Sequence, residues 1–400
     1  MIGADLAKLE ELSPFECKNR LIAVARSHAD RVMLNAGRGN PDFLATAPRH
    51  AFFQLGHFAM GEAERRAIEF PDGVAGIPPA AGMAGRFAAF LRAHGEAPGV
   101  SLLTAALSYA GERLGAECDA FSHELVQGIL GCQYPEPVRM LPFCEAVVRH
   151  YLQKELFADA PVAGMVDLFA VEGATAGITY VFNTLRENGL LAAGDAIALG
   201  TPIFTPYLEI PRLSDFRLVE LAIAADPAAG WQYPEEELDK LLDPRVKALL
   251  LVNPGNPTAV AIARPGLDRL AQIVATRRPD LMILSDDVYG TFADDFVSVF
   301  ARCPHNTILI YSFSKYFGAT GWRLGVVALH ERNVIDARIA VLPEATLCEL
   351  DARYGSLVEA PRRLKFIDRL AADSRAVALT IPPGCRRRSR SRWRYSRWPR

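Results

Sequence analysis

Six short, almost uninterrupted apolar runs mark the chain from its middle onward. They lie at residues 165–171, 196–199, 246–252, 281–284, 307–311 and 325–329. Runs of this length, bounded by polar or glycine-rich turns, are typical of strands buried on both faces of a sheet. Segments of helical composition separate several of them, and this alternation predicts an α/β fold with a doubly wound, mainly parallel sheet. A ligand of such a sheet is expected at the carboxyl ends of its strands.

The first 141 residues have a helical pattern instead. Residues 4–30 read as two amphipathic helices separated at Ser13-Pro14, and residues 47–130 are rich in Ala, Gly and helix-forming residues. Helices are predicted at 87–94 and 101–114. We therefore predict a helical N-terminal segment over 1–141 and a large sheet-containing domain over 142–330.

The chain changes character again near its end. A helical stretch is predicted to run to about Leu379, so that residues 331–380 form the start of a small domain. Residues 386–400 contain eight arginines among Ser, Trp, Tyr and Pro, without an apolar period. Residues 381–400 are therefore predicted to be a disordered basic tail. Two origins stay open for the change after Thr380, a shifted reading frame or a basic nucleic-acid-binding tail.

Composition narrows the classes of function. Four hundred residues that are 50% hydrophobic can bury a sizeable core, and a net charge of −2 gives no reason to expect a nucleic-acid or anionic-membrane partner. The seven cysteines contain no C-x-x-C pair, which disfavours a zinc site or a disulfide framework. No apolar run reaches the length of a membrane span and no basic-then-apolar signal opens the chain. We expect a cytoplasmic protein with a small-molecule substrate and no metal.

Lys315 is the residue with the clearest chemical setting. It follows the apolar run 307–311 and is flanked by Ser312 and Ser314, with Arg323 eight residues later. Such a lysine can hold an aldehyde cofactor as a Schiff base, while the serines and the arginine grip its phosphate. The pattern S-F-S-K followed by G-W-R-L-G resembles the fold-type I aminotransferases, which use pyridoxal 5'-phosphate (PLP).

Two further motifs support this resemblance. N-P-G-N-P-T implies that Asn256 bonds the phenolic oxygen of the cofactor and contacts the substrate. S-D-D-V-Y implies that Asp286 pairs with the pyridinium nitrogen and that Tyr289 donates to the phenolic oxygen. Asp286 is preferred over Asp287 because it stands three residues before Tyr289, as in the family. A carboxylate there keeps the ring nitrogen protonated, so that the ring accepts electrons.

Two turns are candidates for the rest of the cofactor site. Gly173, Ala174 and Thr175 connect an apolar run to a predicted helix, and the N–H groups and dipole at such a helix start favour phosphate. Most turns of this kind only reverse the chain, and that alternative stays open. T-P-I-F-T-P-Y resembles the segment whose first aromatic, here Phe204, lies flat against the cofactor ring. A core aromatic is the alternative.

Weaker resemblances concern the substrate and a second subunit. G-R-G-N-P-D-F resembles a segment that lies over the substrate, which implies that Arg38 pairs with a substrate carboxylate. A solvent-exposed arginine is equally compatible. G-C-Q-Y resembles the segment whose tyrosine, here Tyr134, reaches the phosphate of a neighbouring subunit, although a plain turn is the alternative. The resemblance also implies a homodimer or a higher homo-oligomer.

The long helical insertion and the G-R-G-N-P-D-F segment look most like the aspartate 4-decarboxylases, which also transaminate aspartate. This resemblance implies β-decarboxylation of L-aspartate to L-alanine and CO2, with Lys315, Asp286 and Tyr289 as the catalytic residues. An ordinary class I amino-acid aminotransferase and a PLP-binding subunit without turnover are the alternatives. In the family a C-terminal small domain carries the arginine that binds the α-carboxylate. Because no counterpart is evident, we expect an incomplete small domain.

Overall fold

The structure is a computed structural model that describes residues 12, 14–27, 43–65, 73–134, 138–158, 162–210 and 216–375. Its centre is a seven-stranded sheet. The strands are β1 (Val166–Val171), β2 (Ala196–Thr201), β3 (Val219–Ala224), β4 (Val246–Val252), β5 (Met282–Asp286), β6 (Thr307–Ser312) and β7 (Gly325–His330).

The strands lie in the order β1-β7-β6-β5-β4-β2-β3. Strand β7 is antiparallel to both of its neighbours, and the other four pairs are parallel. The prediction of a mainly parallel sheet is confirmed, and all six predicted runs are strands. Strand β3 was not predicted, because this edge strand of sequence V-E-L-A-I-A has only one buried residue and so lacks a continuous apolar run.

Helices flank the sheet and form most of the N-terminal part. They are α1 (Pro14–Ser27), α2 (Thr46–Glu64), α3 (Met83–Ala93), α4 (Val100–Leu114), α5 (Cys118–Leu130), α6 (Pro142–Leu156), α7 (Ala174–Glu187), α8 (Glu235–Asp239), α9 (Arg264–Thr276), α10 (Val299–Arg302), α11 (Val334–Ala340), α12 (Glu344–Tyr354) and α13 (Phe366–Ser374). The helices predicted at 87–94 and 101–114 correspond to α3 and α4. No helix among the described residues is both long and apolar enough to cross a membrane.

The helical stretch predicted after β7 consists of three helices among the described residues. Prolines interrupt it, since Pro343 stands immediately before α12 and Pro361 opens a separate 3-10 turn before α13. Proline fixes its φ angle and has no N–H to donate, so it favours the first turn of a new helix over the interior of a long one. The predicted end near Leu379 and the predicted tail lie outside the described residues.

Both faces of the sheet are buried. On β4, Ala248, Leu250 and Val252 join the apolar core that includes α7 and α13. The alternate residues Leu249 and Leu251 join a second core with α9 on the opposite face. Successive side chains of a strand point to opposite faces, so a strand covered on both sides needs apolar residues at every position. This explains why β4 reads as an unbroken apolar run.

The N-terminal helices α2 to α5 form a core of their own, in which the rings of Phe58 and Phe87 stack with centroids 4.5 Å apart. A buried carboxylate joins this bundle to α6. Glu124 on α5 accepts hydrogen bonds of 2.9 Å from the backbone N–H groups of Phe143 and Cys144. A negative charge at a helix start satisfies otherwise unpaired N–H groups and complements the helix dipole. The contact therefore fixes α6 against the helical part.

A buried polar network fastens the C-terminal helices to α7. Tyr354 donates to Asp373 and accepts from Asn188, both at 2.9 Å. Arg369, which is 1% exposed, donates to the side-chain oxygen of Asn188 at 2.9 Å. Buried polar groups are costly unless they are paired, so each member of this network depends on the others.

Replacing Tyr354 with Phe tests this network. The change removes one hydroxyl and leaves buried groups of Asp373 and Asn188 short of a partner, so we expect unfolding to be easier by about 1–3 kcal/mol in urea titrations. Tyr134→Phe is the control, because that side chain is 93% exposed and should change stability by less than about 0.5 kcal/mol. Equal stability of the two variants would contradict the role of the network.

Candidate active site

A cavity of about 190 Å³ lies where the carboxyl ends of β4, β5 and β6 meet the start of α7. The register of the sheet brings these strand ends together, since Val252 at the end of β4 pairs with Asp286 at the end of β5, and Asp286 pairs with Ile310 of β6. The turns that follow these strands therefore open on one edge of the sheet. The cavity is lined by Ala174, Thr175, Phe204, Tyr207, Val252, Asn256, Asp286, Val288, Tyr289, Ser312, Ser314, Lys315, Thr320 and Arg323.

Asp286 is the buried acid of this cavity. Tyr207 donates its hydroxyl to one carboxyl oxygen at 2.6 Å, and the N–H of Val288 donates to the other at 3.2 Å. Burial raises the pKa of Asp286 to about 6, although both hydrogen bonds and the charge of Lys315 oppose the rise. Loss of solvation disfavours the charged form of a carboxyl group, so a cationic ligand beside Asp286 would restore its ionised form.

The neighbouring Asp287 does not line the cavity. It is fully buried, and the hydroxyl of Ser285 donates to one of its oxygens. Burial also raises the pKa of Asp287, to about 7. The two adjacent carboxyl groups therefore differ in position, and only Asp286 is open to a ligand in the cavity.

Asn256 and Tyr289 stand together on the wall of the cavity. The amide of Asn256 donates to the hydroxyl oxygen of Tyr289 at 3.1 Å. Burial, together with the negative charge of Asp286, raises the pKa of Tyr289. The phenol therefore keeps its proton at neutral pH and can donate it to an acceptor in the cavity. Asn256 follows β4 and Tyr289 follows β5, so sheet pairing brings these two turns together.

The opposite end of the cavity suits an anion. Arg323 adopts a left-handed backbone conformation with φ of 53°. Its guanidinium donates to the carbonyl oxygens of Glu172 at 2.8 Å and Thr320 at 3.0 Å, which holds it at the start of α7. A Cβ atom at Gly173 would lie 2.3 Å from Arg323 Nη2, so only glycine allows this approach. The guanidinium and the helix N-terminus together favour a phosphate.

Two serines complete this end. The hydroxyl of Ser312 donates to Ser314 Oγ at 2.8 Å and lies 3.2 Å from the carbonyl oxygen of Leu324. Both serines are buried and line the cavity. The pair therefore adds hydroxyl groups to the wall of the cavity that Arg323 also lines.

Lys315 lies between the two ends. Burial lowers the pKa of its amine, with a further lowering from Arg323 and an opposing effect of Asp286. A lowered pKa increases the neutral, nucleophilic fraction of an amine. Lys315, Asn256 and Tyr289 also line a second, adjoining pocket of about 510 Å³, whose other walls include Phe43 and Phe292.

The structure thus places most of the predicted site residues on one cavity, and their functional roles stay predictions. Phe204 lines it and meets the ring of Tyr207 edge-on, with centroids 5.2 Å apart. Tyr134 is at the surface, 93% exposed, and Arg38 lies outside the described residues. No role for Tyr207 was predicted from the sequence. Its place in T-P-I-F-T-P-Y was a signal, but its partner Asp286 is distant in the sequence and only the fold reveals the contact.

Comparison with known proteins agrees with this geometry. Residues 134–353 match the model of the family described as aminotransferase class I and II. The chain is 55% identical over 383 residues to a bifunctional aspartate aminotransferase and L-aspartate beta-decarboxylase of Pseudomonas sp, covering 96% of this chain and 72% of the relative. This chain belongs to the class I and II aminotransferases.

Two further similar proteins are more distant. An aspartate aminotransferase of Rhizobium meliloti is 29% identical over 188 residues, which covers 46% of this chain and 44% of the relative. A solved structure of Thermus thermophilus aspartate aminotransferase is 21% identical with a TM-score of 0.44, covering 65% of this chain and 64% of the other.

The raised pKa of Asp286 predicts a pH-dependent stability in the protein freed of bound ligands. The folded-state pKa of about 6 exceeds the ordinary value of 3.8. The stabilisation of the folded protein by this group is therefore present at low pH and is lost as the pH rises from the ordinary pKa through the folded-state pKa. Between about pH 4 and pH 7, the wild type should therefore lose up to about 3 kcal/mol relative to Asp286→Asn, in urea titrations.

Glu359→Gln, at an exposed carboxyl group, is the control and should follow the wild type across the same range. Parallel curves for the wild type and Asp286→Asn would mean that Asp286 is already ionised in the folded protein at low pH, contrary to the prediction.

Proposed function

We propose that this chain binds PLP through Lys315 and converts L-aspartate to L-alanine and CO2, with transamination of aspartate as a side activity. The observation that carries the proposal is the meeting of an amine, a buried carboxyl group, a phenol–amide pair and an anion site on one cavity. Each of these groups complements a different part of PLP. The substrate assignment is supported by the 55% identical relative, whose name includes both reactions.

The residues present fit the cofactor. Positive charge for its phosphate comes from Arg323. Hydrogen-bond donors come from Ser312, Ser314 and the turn Gly173, Ala174 and Thr175. Gly173 is specifically suited, because any side chain there would displace the guanidinium of Arg323. These residues would hold the phosphate at the α7 end of the cavity.

The other end suits the ring. The carboxyl group of Asp286 would pair with the ring nitrogen, and Asn256 and Tyr289 would donate to the phenolic oxygen. Phe204 would lie against the ring. When bound, PLP supplies an electron sink for the electron pairs released at the substrate carbons. A positive ring nitrogen favours the ionised form of Asp286, which offsets the cost of burying that carboxylate.

Lys315 is assigned two tasks. Its amine, with a pKa lowered by burial, is the nucleophile that attaches the cofactor. With substrate in the cavity, the same amine would be placed to accept a proton from the substrate Cα and to donate a proton back to the substrate. We also propose that residues 142–330 are the PLP-binding domain and that the protein is a homo-oligomer. The exposed side chain of Tyr134 is accessible to a neighbouring subunit.

The proposal is tested by incubating the purified protein and PLP with L-aspartate, with and without a keto acid, while CO2, alanine and oxaloacetate are measured. We expect CO2 and alanine in equal amounts without a keto acid, and some oxaloacetate when a keto acid is present. Lys315→Ala should form none of these products. Oxaloacetate without CO2 would instead establish an ordinary aminotransferase, and bound PLP without product would establish a subunit without turnover.

A further inference from the structure

Three hydroxyl groups from separate parts of the chain form a closed ring of hydrogen-bond contacts. Tyr311 Oη lies 2.7 Å from Thr291 Oγ1 and 2.8 Å from Tyr151 Oη. Tyr151 Oη lies 3.0 Å from Thr291 Oγ1. Three hydroxyls carry three protons for three contacts, so each can donate once and accept once around the ring. Every member is thereby satisfied without water.

The ring joins the two segments that carry the central cofactor-binding candidates. Thr291 stands two residues after Tyr289, in the 3-10 turn Gly290–Phe292 that follows β5. Tyr311 is the penultimate residue of β6, directly before Ser312 and four residues before Lys315. The contact between Thr291 and Tyr311 therefore links the turn of the phenol donor to the strand that leads into the lysine.

Helix α6 supplies the third member and a rigid support. The ring of Tyr151 meets the rings of Phe313 and Phe317, which flank Lys315, at centroid distances of 6.0 and 5.7 Å. The 3-10 turn Gly290–Phe292 packs closely against the same helix, since a Cβ atom at Gly290 would lie 2.7 Å from Leu156 Cδ2. Both segments are thus fixed relative to α6.

The ring of three hydroxyl groups carries no net charge at neutral pH. Burial raises the pKa of Tyr151 and of Tyr311, so both phenols keep their protons at neutral pH. None of the three hydroxyls lines the cavity, so they can act on a ligand there only through the residues that they hold.

We propose that Thr291, Tyr311 and Tyr151 are positioning residues that set the placement of Tyr289 relative to Lys315. This inference rests on the proposed PLP site. A hydroxyl donor stabilises an anionic phenolic oxygen only at short distance and good angle. Loosening the turn therefore weakens the donation from Tyr289, while the anion site at α7 is untouched.

Thr291→Val tests the proposal, because it keeps the shape of the side chain and removes its hydroxyl. In the PLP-loaded protein, we expect the pH midpoint of the visible cofactor band to move upward by about 0.5 units or more, since the anionic form loses stabilisation. The kcat for aspartate should fall roughly tenfold with KM changed less than about twofold. Thr291→Ser should restore both. Tyr151→Phe leaves the contact between Thr291 and Tyr311 intact and should have a smaller effect.

Tyr109→Phe is the matched control. Tyr109 Oη lies 2.8 Å from His150 Nδ1, so this variant also removes a phenol hydrogen bond to α6, at the residue next to Tyr151. Its band midpoint and kcat should equal those of the wild type. An unchanged midpoint in Thr291→Val, or a change that Thr291→Ser fails to reverse, would overturn the positioning role. Absence of any cofactor band in the wild type would overturn the proposed function and this inference together.

Discussion

Burial of the carboxyl group of Asp286 is the constraint on which the site depends. A carboxylate removed from water is costly, and here two hydrogen bonds, from Tyr207 and Val288, together with the charge of Lys315 offset only part of that cost. The pKa of Asp286 is raised because the cost of burial exceeds the stabilisation from these contacts. A group held in this state has a large free-energy gain available when a cation arrives beside it. Under the proposed function, that cation is the protonated ring nitrogen of PLP.

The sheet explains how the other groups reach that carboxyl. Parallel strands β4, β5 and β6 end at one edge, so the turns that carry Asn256, Tyr289 and Lys315 are neighbours there. Strand β7 runs the other way and begins at this same edge, directly after the loop that holds Arg323. Register alone therefore assembles residues that are up to 67 positions apart, from Asn256 to Arg323. Specific contacts such as the hydroxyl ring then set the finer distances.

Much of this arrangement could be predicted from the sequence, because both faces of the sheet are covered. Unbroken apolar runs such as β4 and β6 follow directly from that burial, and the chemical residues stand immediately after them. Strand β3 escaped prediction since an edge strand needs few buried residues. After β7 the sequence predicted only a helical stretch, and the prolines before α12 and α13 explain why the chain forms three separate helices there.

Contacts between distant side chains were beyond sequence reasoning. The hydrogen bond from Tyr207 to Asp286 spans 79 positions, and the pair Tyr151 and Tyr311 spans 160. Periodicity says which face a residue occupies, but the partner on that face depends on sheet order and helix placement. The motifs located the candidate site and favoured Asp286 over Asp287 by position, and the structure adds that, of the two, Asp286 lines the cavity.

Attachment of the cofactor to Lys315 is the central claim, and one chemical measurement addresses it directly. Borohydride reduces the imine between a lysine and PLP to a stable amine, which survives digestion. We expect a pyridoxyl group on the peptide that contains Lys315 and on no other, with the label absent from Lys315→Ala. A label on a different lysine, or an unlabelled protein after incubation with PLP and borohydride, would contradict the account.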